Sequence, residues 1–230
     1  MENIEYVLTP DIVNGDVIAV LKQAQNGVFG GSLNFEEAFF DALSRRLVVS
    51  GFRKFDKANS KYPKDCKYRK EQIKESYENK DPHLIFQPEG SQRSPDIRIV
   101  YNSNSLDIEV KSTLKGTVMW NCGLPKENNI YITIKGQTMD VTFAMGQDIF
   151  LPEHYKIAKE GHRKIADGLA AKLIARLKEI NSPITYYPRP MYVDFRNWFD
   201  DNLPNTPIPN RKDREENVLK YIKSFQWGLE

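Results

Sequence analysis

QPEGSQRSPDIRIVYNSNSLDIEVKSTLKG, residues Gln87 to Gly116, is the stretch on which the reading of the whole chain turns. Its middle predicts a β-hairpin. IRIVY and LDIEV are rich in β-branched residues and flank the turn-forming run Asn102-Ser103-Asn104-Ser105. Side chains alternate along a strand, so Asp107, Glu109 and Lys111 emerge on one face while Ile108 and Val110 emerge on the other. Asp96 stands at the start of the partner strand, and the hairpin folds it back toward Glu109. Two carboxylates and a lysine then converge. On a partly buried face such charges are costly unless paired or used. Oxygen ligands of this kind suit a hard divalent cation, with the lysine beside it to stabilise negative charge. The same residues on a solvated face would be an ordinary surface hairpin.

Pro95-Asp96, followed by Glu109-Val110-Lys111 on the next strand, resembles the active-site signature of the PD-(D/E)xK nuclease superfamily. Gly90-Ser91-Gln92 just ahead of it is similar to a subset of type II restriction endonucleases. The resemblance is confined to this stretch. It implies that Asp96 and Glu109 ligate one or two Mg²⁺ ions, joined by the backbone carbonyl of Val110. Lys111 would orient the attacking water or stabilise the transition state, and Gln92 would position a phosphate or the lysine. Ser91, Ser112 and Lys115 are assigned to DNA contacts. The implied activity is Mg²⁺-dependent cleavage of double-stranded DNA at a short specific site, by a homodimer with one active site per strand. Two rivals stay open: a structure- or repair-directed nuclease of the same fold, and a catalytically silent DNA-binding protein.

Upstream, Asn34 to Ser50 predicts a helix, with Asn34 and Glu37 as a capping box and Gly51 as the stop. Phe35, Ala38, Phe39, Phe40, Ala42, Leu43, Leu47 and Val49 form one apolar arc. Glu36 falls inside this arc and Glu37 outside it. A carboxylate on the core side needs a reason. The family often carries an extra acidic residue on a helix before the hairpin, and Glu36 is the candidate; the alternative is a Glu36 paired with Arg46 or snorkelling to the surface.

Residues 45–74 hold eleven Lys and Arg against three acids, a local +8 in a chain whose formal charge is +2. Phe52, Phe55, Tyr62 and Tyr68 are interleaved with them. The pattern is the electrostatic footprint of a polyanion partner, or else a solvated, partly helical surface. Beside the nuclease signature, Lys57, Lys61, Lys64 and Lys67 are expected to touch DNA phosphates.

With 230 residues, 40% hydrophobic and 28% charged, the chain fits one domain with an ordinary core. No apolar run is long enough to cross a bilayer. Cys66 and Cys122 are too few for a disulfide framework, which suggests the reducing cytoplasm. His83, His154 and His162 show no zinc-ligand spacing, and His83 is expected on a surface loop.

The remaining elements complete a plan. Residues 1–25 suggest one or two helices, and NGVFGGS (26–32) is a loop lacking the lysine and hydroxyl of a nucleotide-cradling turn. Thr113 to Lys126 reads as a connection, and Asn129–Lys135 and Asp140–Ala144 as strands. Pro152 opens a long helix whose Ile165, Leu169, Leu173 and Leu177 stripe, joined by Ala166 and Ile174, is expected to pack on the sheet. The proline- and aromatic-rich stretch 181–210 holds one strand and a short helix around VDFRNWF. Arg211–Gln226 predicts a final helix with Val218, Leu219, Ile222 and Phe225 inward. The order suggests an α/β fold, a central mixed β-sheet flanked by helices, and the resemblance adds a restriction-endonuclease-like core.

Overall fold

The computed structural model describes residues 8–30, 34–58, 63–89, 94–121, 123–184, 186, 190–201 and 208–227. Lys61, Ser91, Gln92 and Cys122 lie outside them. The elements run α1 (Pro10–Gln25), α2 (Phe35–Val49), β1 (Arg53–Phe55), α3 (Pro63–Glu78), β2 (His83–Phe86), β3 (Ile97–Tyr101) and β4 (Asn104–Thr113). They continue with β5 (Val118–Trp120), β6 (Ile130–Lys135), β7 (Asp140–Met145), α4 (Pro152–Lys164), a π-helical turn (Ile165–Ala170), α5 (Ala171–Glu179), β8 (Tyr192–Asp194) and α6 (Arg211–Ser224).

The central sheet has six strands in the order β1-β2-β3-β4-β6-β7. It is mixed: β1 with β2 and β4 with β6 are parallel, and the other pairs antiparallel. The hairpin forms, with a tighter turn than its four-residue polar run suggests. Tyr101 pairs directly with Asn104, and Asn102 and Ser103 take positive φ of 47° and 65°. That is a two-residue turn of the kind whose twist matches the flanking strands, so Asn104 and Ser105 join β4.

Period-2 alternation gives the sheet two different faces. Ile97, Ile99, Leu106, Ile108, Ile130 and Ile132 point to the main core, where they meet Val17 and Leu21 of α1, Phe39 and Leu43 of α2, and Val218 and Ile222 of α6. Each fully buried aliphatic side chain stabilises by about 1.5–3 kcal/mol. The two-pronged Arg98–Asp107 ion pair across the hairpin, at 2.7 and 2.9 Å, is partly exposed and contributes about 1 kcal/mol or less. Burial on the first face therefore fixes the register, and the ion pair follows it.

The second face is covered in two parts. At one end, Tyr77 of α3 packs edge-on against His83 at 4.7 Å. His83 is fully buried, not on a surface loop, because it opens β2 beneath this helix; its Nδ1 lies 2.6 Å from the Asp81 carbonyl. At the other end, a small sheet of β5 and β8 lays Trp120 and Trp198 over Tyr131 and Ala144. The sequence read β5 as plain connection, since a three-residue strand carries almost no periodic signal. VDFRNWF supplies β8, and its second half is turn, not helix.

Helix α2 ends as expected and leaves Glu37 exposed as its phase requires, but Asn34 makes no side-chain capping bond and Val49 is exposed. The α4–α5 stripe does not pack on the sheet. Ile165, Leu169 and Leu173 are 53, 74 and 45% exposed, because both sheet faces are already occupied. Among the described residues no helix is long and apolar enough to cross a membrane.

Two glycines separate close approach from mere flexibility. A Cβ on Gly146 would fall 1.8 Å from the Lys126 carbonyl oxygen, whereas one on Gly161 in α4 meets nothing within 4 Å. Gly146→Ala is expected to destabilise by about 1–3 kcal/mol through overpacking, and Gly161→Ala to stabilise by about 0.5–1 kcal/mol. Urea denaturation of the two variants checks both signs.

Candidate active site

The register Ile97↔Ile108 sets Asp96, just before β3, opposite Glu109. The strand pairing ends there, and the Asp96 side chain takes over: its Oδ2 accepts from the Val110 amide at 2.8 Å. In an extended strand one residue's N–H and C=O point to the same side. The Val110 carbonyl therefore faces the same gap beside Asp96.

Glu109 lies on the second face of β4, beside Tyr131 of the parallel strand β6. It is 3% exposed. Its Oε1 accepts from Lys111 Nζ at 2.5 Å, while Oε2 is buried with no hydrogen-bond partner among the described residues. A cavity of about 30 Å³ opens here, lined by Glu109, Lys111, Trp120 and Tyr131. That is room for about one water-sized occupant. Trp120 Nε1 is likewise buried and unpartnered.

Glu36 reaches the cluster from α2. It is half-buried and does not pair with Arg46: Arg46 bonds Asp16 at 3.2 Å, and Glu36 Oε1 accepts from Gln87 Nε2 at 3.0 Å. The Gln87 backbone N–H donates to the Asp96 backbone carbonyl at 2.6 Å. Asp107, on the same alternation as Glu109, is neutralised by Arg98 and stands outside the cluster.

Asp96 records this crowding. Burial pushes its carboxyl up to about 7, and the Glu109 and Glu36 carboxylates push the same way, against the Val110 amide and the Lys111 ammonium. Three acids facing one lysine leave negative charge that a divalent cation would offset. The donors are carboxylate and carbonyl oxygens, without sulfur or imidazole, which suits Mg²⁺. No three His, Cys, Asp or Glu side chains among the described residues form a metal-binding group by themselves. A cation would rest on Asp96, Glu109 and the Val110 carbonyl, and the orphaned Glu109 oxygen fits that role.

The other expected residues stand further out. Ser112 and Lys115 are exposed at the end of β4 and in the following loop. Lys57 precedes α3, and Lys64 and Lys67 lie on it, all exposed; Lys67 pairs with Glu71 at 3.8 Å. Arg69 fastens α3 beside the cluster, donating to the Asp56 and Phe86 carbonyls at 2.6 Å each. Sequence reasoning gave no role to Gln87, Tyr131 or Trp120. Gln87 was within the decisive stretch, but Tyr131 and Trp120 join through pairings of distant strands that no local spacing announces.

The Asp96 environment has a stability consequence. Its folded-state value lies above the ordinary carboxylate value of 3.8, so the folded protein holds a proton that the unfolded chain releases. Ionising Asp96 then lowers stability as pH rises from about 4 to about 7. Without divalent cations, the stability of the wild type relative to Asp96→Asn is expected to fall across that window and level off above it. Denaturation midpoints measured at a series of pH values check this; a flat difference would mean that Asp96 is not so placed. The chain matches no protein-family model, no curated protein and no solved structure.

Proposed function

We propose that the chain is a Mg²⁺-dependent endonuclease that cuts double-stranded DNA at a short specific site as a homodimer. One observation carries the reading: Asp96 and Glu109 face one another across the end of a hairpin, with Lys111 on Glu109 and one Glu109 oxygen unpartnered among the described residues. The resemblance of these same residues to the PD-(D/E)xK signature gives the cluster its chemistry. When bound, Mg²⁺ lowers the pKa of a coordinated water and offsets charge developing on the phosphate oxygens.

The chain's own groups do the rest. Asp96 and Glu109 hold the cation with the Val110 carbonyl. Lys111 keeps its ammonium at the carboxylates and presents positive charge to the phosphate. Glu36, through Gln87, orients the Asp96 segment and adds to the negative potential. Trp120 and Tyr131 wall the site against bulk water. The exposed Lys57, Lys64 and Lys67 supply phosphate contacts on the α3 side.

The test is cleavage of duplex DNA with and without Mg²⁺. Glu109→Gln and Lys111→Met should each lower the rate by about 10²–10³-fold while DNA binding persists. Glu36→Gln should show a smaller loss and Glu37→Gln none. Wild-type rates in Glu109→Gln would overturn the proposal. Discrete fragments from long DNA support the site-specific form, and cutting confined to branched substrates supports a structure-directed nuclease. Binding without any Mg²⁺-dependent cutting points to the silent DNA-binding protein.

A further inference from the structure

We infer that the open cleft between α4 and the loop 123–129 grips the phosphodiester backbone of the bound DNA, through Lys126, Lys159 and Arg163. This rests on the nuclease reading above and adds a second wall to the DNA site, opposite in chain position to the basic segment 45–74.

The cleft measures about 850 Å³. Gly123, Leu124 and Lys126 line both this cleft and the small cavity against Glu109 and Lys111. The two spaces thus adjoin, and a strand whose phosphate lies at the carboxylates can continue into the cleft.

Its cations are available. Lys159 and Arg163 both line the cleft and are exposed. They stand four residues apart, hence on one side of α4. Neither side chain makes an ion pair or hydrogen bond among the described residues. Among the described residues the Lys126 ammonium bonds only a backbone carbonyl, that of Ser94, at 3.2 Å. Asn128 and Asn129 add neutral groups of the kind that contact phosphate and sugar. Glu127 and Asp167 also line the cleft, so the attraction is local to the three cations and not a general positive field.

The basic segment contrasts with this. Lys54 is tied to Asp41 and Asp56 at 2.9 Å each, Arg53 to Asp81 at 3.8 Å, and Lys74 to Glu78 at 3.5 Å. Arg69 is occupied by two backbone carbonyls. A cation already paired must give up its partner to hold a phosphate. Density of charge along the sequence therefore overstates that segment, although its exposed Lys57, Lys64 and Lys70 make no ion pair among the described residues and are as available as the cations of the cleft.

The experiment is fluorescence anisotropy of a labelled random-sequence duplex with the full chain in EDTA, across a salt series. Lys159→Gln with Arg163→Gln removes two contacts, each contributing about 0.9 to the slope of log affinity against log salt. The expected result is affinity lowered about tenfold or more and a slope flatter by about 1.8. The charge-keeping pair Lys159→Arg with Arg163→Lys should bind as the wild type does, which separates lost charge from lost folding. Wild-type affinity and slope in the Gln pair would overturn the inference; wild-type Mg²⁺-dependent cutting in a parallel assay would then leave the nuclease reading standing. Loss of inorganic phosphate binding with duplex binding intact would make the cleft a small-anion site and overturn it equally. A wild-type chain that neither binds nor cuts duplex DNA would sink both.

Discussion

A carboxylate buried inside a sheet with a single ammonium beside it is the interaction on which the rest of this structure depends. Glu109 is held by Lys111 two residues along the same strand, and the strand's own alternation keeps both on one face. Breaking a buried pair by removing one partner costs about 3–5 kcal/mol, because the remaining charge is left uncompensated. Yet the pair is incomplete even when intact, since one oxygen of Glu109 has no partner among the described residues. Asp96 and Glu36 then add negative charge to a place that already lacks neutralising groups. A site arranged for stability alone would carry apolar side chains here. Retained charge of one sign in a small walled space is what a cation site requires.

The first face of the sheet makes this arrangement tolerable. Ile97, Ile99, Leu106 and Ile108 are all fully buried, and a one-residue slip would turn them into the second face and Glu109 into the main core. The hydrophobic face thus positions the polar one. Position also follows from where the pairing stops: β3 begins at Ile97, and the freed Val110 amide is taken by the Asp96 side chain.

Much of this was legible in the sequence, and for physical reasons. Period-2 alternation located the hairpin, and helical phase put Glu36 toward the site and left Glu37 exposed. The capping box failed although its residues were present, since Asn34 reached no backbone amide with its side chain. Burial of His83 was hidden because it depends on α3 crossing over β2. The Ile165–Leu169–Leu173 stripe had the right period for packing but no free surface to pack on. Likewise, β5 pairs with β8 across more than seventy residues, and neither three-residue strand announces itself. Local patterns are set by local sterics; which distant elements compete for one surface is not.

The central claim is that Asp96 and Glu109 together make a divalent-cation site whose occupancy displaces a proton. Calorimetric titration of Mn²⁺ into the wild-type chain near pH 6.5, repeated in buffers of different ionisation enthalpy, measures that proton directly. The account predicts binding with net release approaching one proton, diminishing well above pH 7 and absent in Asp96→Asn. Binding without proton release, or no binding that depends on Asp96 and Glu109, would contradict it.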